Sequence, residues 1–205
     1  MPGSMDHFRW VAPIYDRVMA PPDPDRLREL LELPAAGKLL DVGGGTGRVA
    51  QALRGLVDEI VVLDESDGML ERARLKGLAI VQGRAEQLPF ADGAFARVLV
   101  VDAFHHLRDQ RRAAAEFLRV LAPGGRAVIE EPNIEHPAVR LVALAEKVVL
   151  MRSHFHPPAK VQRIMETAGG SVRLICEERT FWAVVTKPGS GGLGNLAADR
   201  TGVRR

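Results

Sequence analysis

Residues 38–49 read KLLDVGGGTGRV: a short apolar run, an aspartate, a glycine-rich turn and the start of an amphipathic segment. A strand that ends in such a turn and passes into a helix can bind an anion or a nucleotide. The reason is that the helix N-terminus offers free N–H groups, while glycine lets a ligand approach the backbone. The stretch therefore predicts a nucleotide-type ligand site at Gly43, Gly45 and Gly47, with a tight turn that binds nothing as the alternative.

This stretch is the first of a series of apolar runs that alternate with amphipathic segments. Most of the runs are rich in Val, Ile or Leu, as in strands buried on both faces, and the alternation predicts a parallel sheet with right-handed crossovers. The predicted strands are Lys38–Val42, Glu59–Asp64, Ala79–Gln82, Ala96–Asp102 and Arg126–Glu130. The predicted helices are Thr46–Leu53, Ser66–Leu75, Arg111–Leu121, Ala138–Met151 and Pro158–Ala168. An antiparallel pair, Ser171–Cys176 and Phe181–Thr186, is expected to close the sheet.

Composition limits the classes of protein that this chain can represent. Its 205 residues include 28 basic and 26 acidic side chains that are scattered among one another, so we expect no nucleic-acid partner. The single cysteine, Cys176, allows neither an intramolecular disulfide nor a thiolate zinc cluster, which fits a reducing cytoplasm. No apolar run of 18 residues and no signal-peptide core are present, so we expect a cytoplasmic protein without a membrane span. Residues 1–188 are predicted to form one domain, followed by a flexible tail over 189–205.

The spacing of the glycines decides between nucleotide types. The dinucleotide fingerprint is G-x-G-x-x-G, but here the spacing is G-x-G-x-G, and Arg48 stands where the third dinucleotide glycine belongs. No Gly-Lys-Ser/Thr follows, so the turn is not a P-loop. An NAD-dependent oxidoreductase is therefore disfavoured, although Asp64 at the end of the second predicted strand would suit either kind of ligand.

The run DVGGGTG, residues 41–47, resembles the first motif of the class I S-adenosylmethionine-dependent methyltransferases. The resemblance implies that Asp41 attracts the cofactor's ammonium group and that the glycines admit its amino-acid part. It also implies that Asp64 binds the ribose hydroxyls, with Glu65 beside it at the cofactor site. Met69 would pack on the adenine, although a core methionine is an equally good interpretation.

Three further runs extend the resemblance. GRAEQLPF, residues 83–90, followed by ADGAF, is similar to the family's adenine-flanking turn and places Arg84, Ala85 and Glu86 at the cofactor. The family often has aspartate where Arg84 stands, and because arginine cannot accept a hydrogen bond, Glu86 is the substitute for that contact. RVLAPGG, residues 119–125, resembles the turn into the fifth strand. The entry WVAPIYDR, residues 10–17, resembles the ubiquinone/menaquinone C-methyltransferase (methyltransferase type 11) group.

The reaction is expected beyond the carboxyl ends of the strands, where VDAFHHL follows strand four at residues 101–107. Asp102 is counted with the cofactor residues. His106 or His105 is a candidate general base, with Tyr15 as a further candidate, and the alternative is a histidine that only packs against the sheet. Glu130 and Glu131 are both expected to face the acceptor space.

The segment 137–158 follows strand five as an apolar insertion. It is predicted to be an acceptor lid or a dimer surface, and a purely core role is left open. It carries His154 and His156, whose spacing admits a metal site; since no acid is placed as a further ligand, we predict no metal.

Taken together, the sequence predicts an α/β, Rossmann-like, seven-stranded and mostly parallel sheet with helices on both faces and an antiparallel closing strand. The predicted function is methyl transfer from S-adenosylmethionine to a small, apolar or aromatic acceptor, by a chain that forms a possible homodimer. The alternatives are an NAD-dependent oxidoreductase and a non-catalytic S-adenosylmethionine-binding protein.

Overall fold

A seven-stranded sheet is the centre of the protein, seen in a computed structural model that describes residues 23–137, 139–140 and 154–189. Its strands, in chain order, are β1 Lys38–Val42, β2 Glu59–Asp64, β3 Ala79–Gln82, β4 Phe95–Val101, β5 Leu121–Pro132, β6 Ser171–Cys176 and β7 Thr180–Thr186. In space they follow the order β3-β2-β1-β4-β5-β7-β6.

The strand directions explain where a ligand would bind. Strands β1 to β5 run parallel, while β7 pairs antiparallel with both β5 and β6. The chain runs outward from β1 through β2 to β3 and then returns to place β4 on the other side of β1. Ligands of such sheets bind at this reversal, beyond the carboxyl ends of the strands. The predicted fold, including the closing antiparallel strand, is confirmed.

In the described part of the chain, five helices cover the two faces of the sheet. They are α1 Pro24–Leu31, α2 Arg48–Ala52, α3 Asp67–Leu75, α4 Gln110–Val120 and α5 Pro158–Thr167, with a short 3₁₀ turn over Phe104–His106. Apolar side chains of α1, α2 and α3 form one buried cluster. Those of α4 and α5 form the second, on the opposite face. Burial on both faces is the reason that the central strands read as continuous apolar runs.

Several predicted boundaries need correction. Helix α1 was not predicted, although Asp23 caps it by accepting bonds from two backbone N–H groups and Pro24 opens it. Helix α2 begins at Arg48 rather than Thr46, because Gly47 precedes it in a left-handed conformation, with φ of 70°. Strand β5 begins at Leu121 rather than at Arg126 and includes the APGG turn. Leu121 pairs with Phe95, and the register of the two strands shifts after this pair.

Some predictions fall outside the described residues. Tyr15 and the entry at residues 10–17 lie there, as does most of the predicted tail over 189–205. Of the predicted helix Ala138–Met151, only residues 139 and 140 are described. Val101 ends β4, and Asp102 follows it with a positive φ of 51° and an N–H that donates to the Glu130 carbonyl. This turn brings the residues after β4 toward those after β1.

Candidate active site

The glycine turn after β1 is held by the neighbouring strand β2. The N–H groups of Gly43 and Gly44 donate to the Leu63 carbonyl at 2.7 and 3.3 Å. The Gly45 N–H donates to Asp64 Oδ2 at 3.0 Å. The turn is therefore fixed by the carboxyl end of β2, and the first two predicted cofactor elements lie side by side.

The three motif glycines have different physical roles. A Cβ on Gly43 would lie 2.6 Å from the Ala103 Cβ, and one on Gly47 would overlap Leu78, so both positions are closed by packing. Among the described residues, a Cβ on Gly45 would meet only the Met69 Sδ, at 4.0 Å. Gly45 thus faces open space, as expected where a ligand approaches the backbone.

Asp41 is the buried acid beneath this turn. Its side chain is 1% exposed, and a Cβ on Gly44 would come within 2.5 Å of its Oδ2. Oδ2 has no hydrogen-bond partner among the described residues. Burial, with the nearby Asp64 adding to it, raises the pKa of Asp41 to about 7. A buried carboxylate oxygen without a partner is costly, and a cationic ligand group would relieve that cost.

Asp64 is held in place by backbone donors. Its Oδ1 accepts a bond from the Ser66 N–H at 2.8 Å, and its Oδ2 accepts the bond from Gly45. A carboxylate is acceptor-only when ionised, and two hydroxyls of a ligand are the kind of donor that it binds. Ser66 itself caps α3 through Met69, whose side chain is 3% exposed. Met69 therefore lies both in the core and beside the open face of Gly45.

The turn after β3 carries a small charge network. Arg84 Nε lies 3.6 Å from Glu65 Oε1 and 3.5 Å from Glu86 Oε2, and Arg108 Nη2 lies 3.5 Å from Glu65 Oε2. Glu86 is buried, and its Oε1 accepts bonds from the N–H groups of Arg108 and Asp109 at 2.9 and 3.2 Å. Glu86 thus joins this turn to the loop after β4. Ala85, which lies between Arg84 and Glu86 in the sequence, is buried.

The two histidines after β4 lie in different environments. His105 is 4% exposed, and its Nδ1 lies 2.6 Å from Glu131 Oε2, while Glu131 Oε1 accepts the Phe104 N–H at 2.8 Å. His106 is half-buried, and burial together with the charge of His105 lowers its pKa to about 3. At neutral pH His106 is therefore an uncharged imidazole, and it is a weaker base than a group whose pKa lies near the working pH.

The expectation that Glu130 and Glu131 both face the acceptor was wrong. Consecutive residues of a strand point to opposite faces. Glu131 turns toward His105, whereas Glu130 Oε2 accepts a bond from Trp182 Nε1 at 2.8 Å on the other face. Burial is the main reason that the pKa of Glu130 rises to about 7.

Two further polar residues, to which no motif assigned a role, make contacts around the site. Gln110 Nε2 donates to the carbonyls of Phe104 and His154, at 2.9 and 3.0 Å. Arg119 binds Glu116 through two nitrogens and donates to the carbonyls of Leu88 and Phe90. The i, i+3 spacing of the Arg119 pair was a readable signal. The contacts of Gln110 depend on the tertiary fold.

The sheet order, the buried acid near the end of β1 and the acid that ends β2 fit the class I methyltransferase fold. Residues 40–129 match the model of a family described as "Methyltransferase domain". This part of the chain, 90 of its 205 residues, is thus similar to a methyltransferase domain, and its sheet has the class I order.

Known proteins with similar sequences are quinone methyltransferases. A demethylmenaquinone methyltransferase of Mycolicibacterium vanbaalenii is 36% identical over 62% of this chain and 54% of its own length. A ubiquinone/menaquinone biosynthesis C-methyltransferase of Klebsiella pneumoniae is 31% identical over 68% of this chain and 57% of its own length. The chain thus spans little more than half the length of these relatives.

A solved structure supports the fold. An S-adenosylmethionine-dependent methyltransferase of Thermotoga maritima aligns with a TM-score of 0.70 at 23% identity, over 88% of this chain and 97% of that one. In the part of the chain that the structure describes, no helix has the length and apolar character needed to cross a membrane. Within the same residues, no group of three or more His, Cys, Asp or Glu side chains could hold a metal ion.

Proposed function

We propose that this protein transfers the methyl group of S-adenosylmethionine to a small aromatic acceptor of the quinol type. The observation that carries the proposal is the arrangement around Gly45. Among the described residues, Asp41 has a buried oxygen without a hydrogen-bond partner, Gly45 has an open face, and the Asp64 carboxylate at the end of β2 is bonded to the Gly45 N–H.

These groups fit the parts of the cofactor in order. Asp41 would attract the ammonium, the open face of Gly45 would admit the amino-acid part, and Asp64 would accept bonds from the ribose hydroxyls. Met69 and the turn with Arg84, Ala85 and Glu86 would flank the adenine. Gly43 and Gly47 shape the turn, while Glu65 and Asp102 support the loops beside it.

Bound S-adenosylmethionine supplies an electrophilic methyl group. The chain's own residues then need to align the acceptor, exclude water and, where the acceptor carries an acidic proton, accept that proton. His106 is the candidate base because it follows β4 at the reversal of strand order, where the reacting groups of such sheets lie. Tyr15 is retained as a second candidate on the strength of the sequence resemblance.

The quinol class follows from the relatives and from the chain's apolar insertion. Both relatives described above are named for methylation in menaquinone or ubiquinone synthesis. An apolar acceptor needs an apolar surface, since each buried methylene contributes about 0.8 kcal/mol. We propose that the segment 137–158 supplies it, that residues 1–188 act as one domain, and that the protein works in the cytoplasm. A homodimer formed through the same segment is the competing role.

Turnover with defined acceptors tests the proposal. Purified protein is mixed with S-adenosylmethionine and a panel of quinols and phenols, and methylated product is measured by mass spectrometry. We expect product from quinols, and a His106→Ala variant that lowers kcat by about 10²–10⁴-fold, the usual contribution of a general base. Saturable cofactor binding without any methylated product would instead favour the non-catalytic alternative.

A further inference from the structure

The loop of residues 154–157 is attached to the carboxyl end of β4 through its backbone. The His154 N–H donates to the His105 carbonyl at 2.6 Å. The His154 carbonyl accepts a bond from Gln110 Nε2 at 3.0 Å, and the same nitrogen donates to the Phe104 carbonyl. Both polar groups of the His154 backbone are therefore bonded to the segment that follows β4.

A ring stack reinforces this attachment. The ring of Phe155 lies parallel to that of His105, with centroids 4.2 Å apart and 15° between the planes. The His106 ring lies 4.0 Å from His105 on a tilted plane. Aromatic pairs at this distance prefer defined orientations, so the position of His105 influences that of Phe155.

Glu131 fixes the His105 ring in turn. Glu131 Oε1 accepts a bond from the Phe104 N–H, and Glu131 Oε2 lies at hydrogen-bond distance from His105 Nδ1. Glu131 and His105 are only 3% and 4% exposed. A buried carboxylate satisfied by two donors holds a single geometry, because any other leaves a polar group unpaired. The chain of contacts therefore runs from β5 through His105 to the loop.

We infer that His105 is a positioning residue, which, held by Glu131, supports Phe155 and fixes residues 154–157 on the acceptor side of the cofactor turn. The placement follows from the contact between Ala103, two residues before His105, and Gly43 of that turn. The inference rests on the proposed function, and it separates the roles of the two histidines. His106 is the candidate base, and His105 acts through the loop.

The test compares Phe155→Leu, which keeps an apolar side chain without a ring, with Phe155→Tyr, which keeps the ring. Hydrogen exchange of the His154 amide and the KM for the acceptor are measured in the full-length protein. Phe90→Leu is the matched control. Phe90 is also half-buried, and its ring pairs with that of Phe95, the first residue of β4, with the ring centroids 4.8 Å apart.

For Phe155→Leu we expect exchange of the His154 amide to be at least tenfold faster, and the KM for the quinol to rise at least fivefold. The kcat of Phe155→Leu and its affinity for S-adenosylhomocysteine should stay within twofold of wild type. Phe155→Tyr and Phe90→Leu should match wild type in amide exchange, KM, kcat and affinity for S-adenosylhomocysteine. Unchanged exchange and KM in Phe155→Leu would overturn the inference, as would an equal loss in Phe90→Leu.

The two proposals fail in different ways. If wild-type protein methylates no quinol but Phe155→Leu still accelerates exchange at His154, the attachment of the loop stands and the proposed function falls. If wild type turns over and Phe155→Leu changes neither quantity, the function stands and the positioning role is wrong. A kcat loss as large as that of His106→Ala, with KM unchanged, would also contradict a positioning role.

Discussion

Asp64 links the glycine turn to helix α3 and is proposed to bind the ribose. Asp64→Ala should weaken binding of S-adenosylhomocysteine by about 1.5–3 kcal/mol, the range for hydrogen bonds to a charged group. Because Asp64 also accepts bonds from Gly45 and Ser66, thermal unfolding of the variant is measured alongside calorimetry.

Asp58→Ala is the matched control for this change. Asp58 Oδ2 likewise accepts a backbone bond, from the Gly37 N–H at 2.7 Å, but at the opposite end of the sheet. The control should lose stability without losing affinity for the ligand. If both variants lose the same affinity, general loosening of the fold would explain the result and the ribose assignment would be wrong.

Asp41 makes a prediction about pH. Its pKa is about 7 in the folded protein against an ordinary 3.8, mainly because the carboxyl is buried. Between these pH values the folded protein holds a proton that the unfolded chain has released. The stability that this proton confers is complete below about pH 4 and is lost as the pH rises through 7.

Asp41→Asn removes that dependence. The unfolding free energy of the ligand-free variant minus that of wild type should rise by about 2–4 kcal/mol from pH 4.5 to pH 8. The reason is that one pKa unit corresponds to about 1.4 kcal/mol. Urea unfolding at the two pH values measures the difference. The Asp41→Asn variant should also bind S-adenosylhomocysteine less tightly than wild type at pH 8. A stability difference that is equal at both pH values would show that Asp41 does not titrate in this window.

At the scale of elements, Arg119 of α4 secures the loop that leads into β4. Its guanidinium reaches both oxygens of Glu116 at 2.7 and 2.8 Å and donates to the carbonyls of Leu88 and Phe90. Lysine has no planar fork and cannot reproduce this set of bonds. Arg119→Lys should lower the unfolding free energy by about 1–3 kcal/mol.

Chemical denaturation measures this loss, and Arg111→Lys on the exposed face of the same helix is the control. We expect the control to stay within about 0.5 kcal/mol of wild type, as surface substitutions usually do. Equal effects in the two variants would mean that the fork of Arg119 contributes nothing specific.

The elements differ in how far sequence could predict them. Strands β1, β2, β3 and β6 have the predicted bounds, since an apolar or alternating run between polar turns identifies a strand without further context. Helix α1 was not predicted, although Asp23 before Pro24 in PPDPD, residues 21–25, is a helix-start signal. The start of α2 was misplaced because the left-handed Gly47 delays it.

The site divides in the same way. The positions of Asp41, Gly45 and Asp64 followed from motif spacing, because all three lie at the ends of two adjacent strands. The pairing of His105 with Glu131 joins residues 26 positions apart and depends on the register of β4 and β5, in which Val101 lies opposite Glu130. Sequence patterns do not specify such a register, so the pair emerged only from the fold.

At the scale of the whole molecule, the proposed roles of the segment 137–158 predict different assemblies. If the segment covers the acceptor, Val142→Glu and Val149→Glu should raise the KM for the quinol and leave the molecular mass in light scattering unchanged. If it pairs with a second copy, the same variants should convert a dimer to a monomer before acceptor affinity changes. We expect the first result, and dissociation of a dimer with an unaltered KM would contradict it.

The central claim is that the turn after β1 binds S-adenosylmethionine. Calorimetric titration with S-adenosylhomocysteine tests this claim in the Gly45→Val variant, with Gly55→Val as the matched control. Both glycines have positive φ, 55° and 81°, and neither has a neighbour that a Cβ would strike, so both variants suffer similar backbone strain. Only Gly45 faces the proposed ligand. We predict that wild type and Gly55→Val bind S-adenosylhomocysteine but not NADH, and that folded Gly45→Val binds neither. Unchanged affinity in folded Gly45→Val, or saturable binding of NADH in its place, would contradict the account.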